Sequence, residues 1–206
     1  DPVGGGLVAS LARPGGNVTG LTFFGPELYA KRFELLKEAM PRVSVVAHLT
    51  NPGNVQYQKT FAEGFNAAAT LKVKLLNFEA RTADDFEAAF AAMAKARVEA
   101  VMVAQDNLFT TNHDRIAALA AKHRLPSAGP AELAEAGGML GYGASTLDQF
   151  RRSAVYVDKI LKGAKPGELP VERPTLFELV VNVKLAKSFG IKIPNSILVR
   201  ADRVIE

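Results

Sequence analysis

Chemistry in this chain would have to come from few candidates. Its histidines are His48, His113 and His123, and none stands at a metal-binding spacing such as H-E-x-x-H. No G-x-S-x-G elbow is present, and cysteine is absent, so thiolate nucleophiles, thiolate metal sites and disulfides are all excluded. Gly4-Gly5-Gly6-Leu7-Val8-Ala9 matches G-x-G-x-x-A, the pattern of a dinucleotide-binding turn. That turn needs a strand before it and an acid about 20 residues later at a strand end. Here three residues precede Gly4, and the nearest acid at that distance, Glu27, opens a helix pattern. The motif reads instead as a flexible entry to a short helix over 7–12. Asp84, Asp85 and Glu87 read as a helix N-terminus, where the dipole favours acids. Asn17-Val18-Thr19 fits the glycosylation sequon but opens a strand pattern.

What remains is a set of binding groups. Thr22 and Phe23, Asn51 and Asn54, Asp106 and Asn107, and Tyr142 supply hydroxyl, amide, carboxylate and aromatic chemistry. They lack any nucleophile with a base to activate it. Such a set suits the capture of a small polar ligand and not its conversion, so the chain reads as a non-enzyme without metal or cofactor. The plainer role of each asparagine is as a turn former or cap.

The elements that position these residues follow from periodicity. A β-rich run spans 17–23. Tyr29, Phe33, Leu36 and Met40 then fall at i, i+4, i+7 and i+11, an amphipathic helix that Pro41 stops. A nearly continuous apolar run over 43–49 suits a strand covered on both faces. Further helices are expected over 55–70, with Tyr57, Phe61, Phe65 and Ala68 on one side, and from a Thr82 cap, and over 110–123. Strands are expected over 73–78, nearer a sheet edge, and over 98–104 and 125–128. One strand follows another after about 25 residues, the repeat of right-handed βαβ units. The fold class is therefore α/β, a parallel sheet flanked by helices. In such sheets ligands bind beyond the carboxyl ends of the strands, which is where the candidate binding residues stand.

The rhythm changes after Gly137-Gly138. A short strand over 139–143 precedes a helix from Ser145 or Thr146 to Leu161, a proline-rich connection over 165–174, a strand over 176–181 and a short helix ending at Phe189. Such a change suggests that the chain leaves one lobe and enters another. Along the helix ending at Leu161, Leu147, Phe150, Ala154, Val157 and Leu161 make an apolar stripe.

Composition narrows the partners. The 206 residues are 48% hydrophobic and 22% charged, an ordinary globular balance, and no apolar run approaches the ~18 residues of a membrane helix. Lys and Arg number 25 against 21 Asp and Glu, a net charge of +4, but the basic residues form no long cluster of the kind that grips nucleic acid. The chain opens Asp1-Pro2-Val3, without Met or the basic and apolar regions of a leader, and so reads as a processed product or a piece of something longer.

Several separated stretches resemble the ABC-transporter substrate-binding protein family of the tryptophan/tyrosine transport type. They are residues 1–3 through Leu11-Ala12-Arg13-Pro14-Gly15-Gly16-Asn17-Val18-Thr19-Gly20, then Asn51-Pro52, Asp106-Asn107 and Gly137-Gly138-Met139-Leu140-Gly141-Tyr142-Gly143. Leu161-Lys162-Gly163-Ala164-Lys165-Pro166 and Ala201-Asp202-Arg203-Val204-Ile205-Glu206 complete the set. The resemblance implies a type I periplasmic-binding-protein fold of two Rossmann-like lobes. By that likeness 17–138 is a complete ligand-binding lobe, 1–16 and 139–206 are hinge crossings and part of a second lobe, and the first part of that lobe lies before Asp1. It implies a solute-binding protein that captures a ligand between lobes, an aromatic or hydrophobic amino acid by preference, and delivers it to an ABC permease outside the cytoplasm. Asp106 would receive the ligand's ammonium group, with Asn51, Asn54, Asn107 and Tyr142 nearby. A small-molecule sensor of a regulator, built on a similar fold, is the alternative. The resemblance also leads us to expect the stripe over 147–161 to pair copies of the isolated chain.

Overall fold

The computed structural model describes residues 2–22 and 27–206. Its chain divides into two compact units, 1–25 with 144–177, and 26–143 with 178–206. These bounds differ from the expected lobe over 17–138. Residues 178–206 join the larger unit because β6 (Phe177–Asn182) and β7 (Arg203–Ile205) pair into its sheet.

In the larger unit the chain runs α1 (Glu27–Ala39), β1 (Val45–Thr50), α2 (Tyr57–Thr70), β2 (Lys74–Glu79), α3 (Phe86–Lys95) and β3 (Ala100–Val103). It continues through α4 (Asn107–Thr110), α5 (His113–Lys122), β4 (Ser127–Gly129), α6 (Ala131–Glu135) and β5 (Leu140–Ala144). After the smaller unit come β6, α8 (Val183–Ser188), α9 (Asn195–Leu198) and β7, where α7 is the helix Thr146–Leu161 of the smaller unit. The seven strands stand in the order β2-β1-β3-β4-β5-β6-β7. Pairing is parallel from β2 through β5 and again between β6 and β7. The α/β fold read from the sequence is thus the fold of the protein.

Alternation along the strands divides two apolar layers. Val46, Ala100, Met102, Ala128 and Leu140 face the layer that holds Phe33 and Leu36 of α1 and Ala68 of α2. Ala47, Leu49, Val101 and Val103 face the other, with Phe86, Phe90 and Met93 of α3 and Ile116 of α5. A strand covered on both faces is largely apolar, which is why β3 reads as an unbroken apolar run and β1 as one interrupted by His48 before Thr50. Edge strand β2 has no fully buried residue.

On α2 the aromatic row does not form the core contact. Tyr57, Phe61 and Phe65 stack at successive centroid distances of 6.3 Å, but Phe65 is 51% exposed, and the buried residues are Gly64 and Ala68. The helix needs its small residues inward because fully buried His48 of β1 lies beneath it. A Cβ built on Gly64 would come within 2.7 Å of His48 Cε1.

In the smaller unit, two expected elements are replaced. Residues 2–16 form turns and bends in place of the helix over 7–12, and Gly6 has a φ of 70°, which a helix does not tolerate. In place of a strand over 17–23, Leu21 makes an isolated parallel bridge to Glu172, with Thr22 N donating to Glu172 O and Glu172 N to Gly20 O. α7 is capped by Ser145, whose hydroxyl accepts from Asp148 N. Its buried residues are Gln149 and Tyr156, the latter donating to Pro170 O at 2.6 Å, while Leu147, Phe150, Val157 and Leu161 are exposed. Among the described residues no helix is long and apolar enough to cross a membrane.

Candidate functional site

A compact polar site lies at the carboxyl ends of β1 and β3, within the larger unit. Asp106 follows β3 in an extended conformation, caps α4 and is 9% exposed. Its Oδ1 accepts from Leu108 N at 2.8 Å and from Asn51 Nδ2 at 3.1 Å, and its Oδ2 accepts from Asn54 Nδ2 at 2.5 Å. The two asparagines are themselves fixed by the loop after β1. Asn51 Oδ1 accepts from Gly53 N, and Asn54 Oδ1 from Gln56 N, each at 2.8 Å. Every polar atom of both amide groups that faces the turn is therefore committed, and the amides are aimed at the carboxylate. Cap, turn former and binding group are here the same residues, since the loop bonds set the direction of the N–H groups that grip Asp106.

A buried cation lies under the same rim. Arg32, on the inner face of α1, is 2% exposed. Its Nε donates to Tyr142 O in the middle of β5 (2.7 Å), and its Nη2 to Gln105 Oε1 after β3 (2.9 Å). Nη1 has no hydrogen-bond partner among the described residues. Burial lowers its pKa to about 10, a shift that Tyr29, Glu132 and Tyr142 oppose. Tyr29 lies beside it, 5.9 Å from ring centre to guanidinium carbon. Burial raises that phenol to about 12, with Arg32 pulling the other way. At pH 7 the pair is thus an arginine cation and a neutral phenol.

A second polar cluster joins β1 and β2. Thr50 Oγ1 donates to Asn77 Oδ1 at 2.8 Å, Asn77 Nδ2 to Tyr57 Oη at 3.0 Å, and Tyr57 Oη to Glu79 Oε1 at 2.6 Å. Burial first, and the Glu79 carboxylate second, raise the pKa of Tyr57. This chain of bonds secures the first turn of α2, next to Asn54.

Of the residues selected from sequence, Asp106, Asn51 and Asn54 come together. Tyr142 joins them indirectly, through the bond of its carbonyl to Arg32. Asn107 opens α4 and is exposed, its carbonyl accepting from Thr111 Oγ1. Thr22 belongs to the smaller unit, where it is buried, and Phe23 lies outside the described residues. Sequence reasoning missed Arg32, and placed Gln105 at the strand-end rim without giving it a role. A signal for Arg32 was present, because it sits three residues after Tyr29 and four before Leu36, a charge on the apolar face of its helix.

No three His, Asp or Glu side chains among the described residues stand close enough to hold a metal ion. The site offers a fixed carboxylate, directed amides and a buried guanidinium, and no nucleophile with a base. That is equipment for gripping a charged small molecule.

Comparison with known proteins gives this arrangement a class. A family model described as "ABC transporter substrate binding protein" matches residues 1–205, and the chain belongs to that family. Its members bind ligands and are not enzymes. A structure from Streptococcus pneumoniae, an ABC domain in complex with L-Trp, is 27% identical, with a TM-score of 0.89 over 100% of this chain and 70% of that one. A conserved domain protein from Vibrio cholerae is 31% identical, with a TM-score of 0.91 over 99% of this chain and 68% of that one. The curated Tyrosine-binding protein of Clostridioides difficile is 21% identical over 93% of this chain. The chain spans about half of that relative's length, 55%. Its fold is that of the type I periplasmic binding proteins, as in a solute-binding protein from Actinobacillus succinogenes with bound D-allose, with a TM-score of 0.57.

Proposed function

We propose that this protein is the solute-binding component of an ABC importer and that its solute is an amino acid, aromatic or hydrophobic in side chain. The observation that carries the reading is the Asp106 carboxylate, desolvated at a strand end and oriented by Asn51, Asn54 and Leu108 N. An ammonium group supplies a charge of the right sign, three donors and a small radius, so it can add to Oδ2, where a single bond is made within the protein. The likeness to a structure holding L-Trp and to a Tyrosine-binding protein supports an amino acid over a sugar. Capture is followed by delivery to permease subunits on the outer side of the cytoplasmic membrane, the setting in which family members work.

In this reading Asp106, Asn51 and Asn54, with Asn107 and Tyr142 of the same unit, contribute the binding surface. Calorimetry of the intact protein against L-tryptophan, L-tyrosine, L-phenylalanine and L-leucine tests it, with D-allose as the contrasting solute. Micromolar or tighter binding of one amino acid is expected. Binding of the sugar with none of the amino acids overturns the reading.

A further inference from the structure

We propose that Arg32 receives the ligand's α-carboxylate, and that Gln105 is a neutral side chain holding the guanidinium until the ligand replaces it; this deepens the amino-acid reading above and rests on it. Arg32 is almost wholly buried, yet both acceptors it meets are neutral, the Tyr142 carbonyl and the Gln105 amide oxygen. Its Nη1 has no hydrogen-bond partner among the described residues. The Glu132 charge from α6 acts on it through space and makes no hydrogen bond to Nη1. A buried cation in contact only with neutral groups is held at high cost unless a counter-charge completes it. The guanidinium fork matches a carboxylate with two parallel N–H bonds, a geometry an ammonium cannot provide.

Gln105 is suited to give way. It is exposed, and its amide reaches Arg32 from the residue directly before Asp106. Swinging it outward uncovers Nη2 without disturbing the apolar layers. The rim after β3 would then present a cation beneath Gln105 and the anion Asp106 beside it. An α-amino acid carries the complementary pair on one carbon atom. Tyr29, packed against Arg32 and kept neutral by burial, adds no competing charge.

The test separates a contact from a merely structural role by removing the carboxylate from the ligand. Calorimetry of the intact protein would compare L-tyrosine with tyramine and L-tryptophan with tryptamine. The proteins are the parent, Arg32→Lys and Gln105→Glu, each checked by thermal melting. The parent should bind each amino acid at least tenfold more tightly than its amine. Gln105→Glu, at an exposed position that leaves the fold intact, places a permanent carboxylate on the guanidinium. It should weaken the amino acids at least tenfold and leave the amines unchanged. Arg32→Lys should shrink the preference of amino acid over amine. If both members of a pair bind the parent equally, or if Gln105→Glu shifts both equally or neither, Arg32 is not the carboxylate receptor and the amino-acid reading survives. If no amino acid binds the parent, both fall together.

Discussion

Asn54 Nδ2 donates to Asp106 Oδ2 at 2.5 Å across 52 residues of sequence, tying the loop after β1 to the end of β3. This bond makes a turn-forming asparagine part of a binding site. It also gives Asp106 two roles, since the same carboxylate caps α4 through Leu108 N.

Those roles can be separated. Asp106→Asn keeps a cap-forming side chain but loses the charge, whereas Asp106→Ala loses both. An N-cap is worth about 0.5–2 kcal/mol of stability, and truncating one partner of a desolvated charged contact costs about 2–5 kcal/mol of binding. We expect Asp106→Ala to melt lower and to lose amino-acid affinity, and Asp106→Asn to lose affinity with a smaller change in melting. Calorimetry on both variants checks this. Affinity unchanged in Asp106→Asn would remove the ammonium contact from Asp106.

Gly64 marks a close approach that leaves no room for a methyl group. Alanine is the better helix former, but here its Cβ would sit 2.7 Å from the buried His48 ring. Overpacking of this kind costs about 1–3 kcal/mol, more than the ~1 kcal/mol of helix propensity gained. Gly64→Ala should therefore lower the denaturation midpoint. A rise would mean that the ring can move aside.

His48 should make the fold sensitive to acid. Burial lowers its pKa from 6.5 to about 3, so between those values the unfolded chain binds a proton that the folded one refuses. The stability contributed by the neutral ring is complete above pH 6.5 and is lost as pH falls toward 3, by up to ~1.4 kcal/mol per pH unit. His113, also lowered by burial, acts in the same direction. Urea midpoints from pH 7 to pH 4 should fall, and His48→Leu should flatten the slope. An equal slope in the variant would place the acid sensitivity elsewhere.

We expect the exposed apolar residues of α7 to pair copies of the 206-residue chain. Phe150 is 71% exposed and Leu161 82%. Burying a Leu or Phe side chain contributes about 1.5–3 kcal/mol, and apolar patches of this kind end up against other protein surfaces. We expect concentration-dependent dimerisation in sedimentation experiments, abolished by Phe150→Glu with Leu161→Lys. A monodisperse monomer at all concentrations would refute it.

The repeat of strand and helix was legible because both periods are local. Apolar spacing over a dozen residues is enough to place α1, β1, α3, β3 and α7, and strand ends follow from strands. Asp106, Asn51 and Asn54 could be selected for the same reason, as polar groups just beyond apolar runs. Their assembly into one site depends on β1 and β3 being sheet neighbours, which no local pattern states.

Tertiary contact decided the rest. From sequence Arg32 is only a charge on the apolar face of a helix; its role comes from bonds to Tyr142 and Gln105, 110 and 73 residues away. The stacked aromatic row of α2 has the period of a core face, yet Gly64 and Ala68 take that face because His48 occupies the space beneath. Residues 7–12 have helical apolar spacing, but they instead turn, with Gly6 at positive φ and Leu11 O accepting from Val171 N. Residues 178–206, expected with the crossings and second lobe, group with the larger unit because β6 and β7 complete a sheet whose other strands were laid down before residue 145. Local pattern sets which elements form, and long-range packing sets which faces they bury and which side chains they bring together.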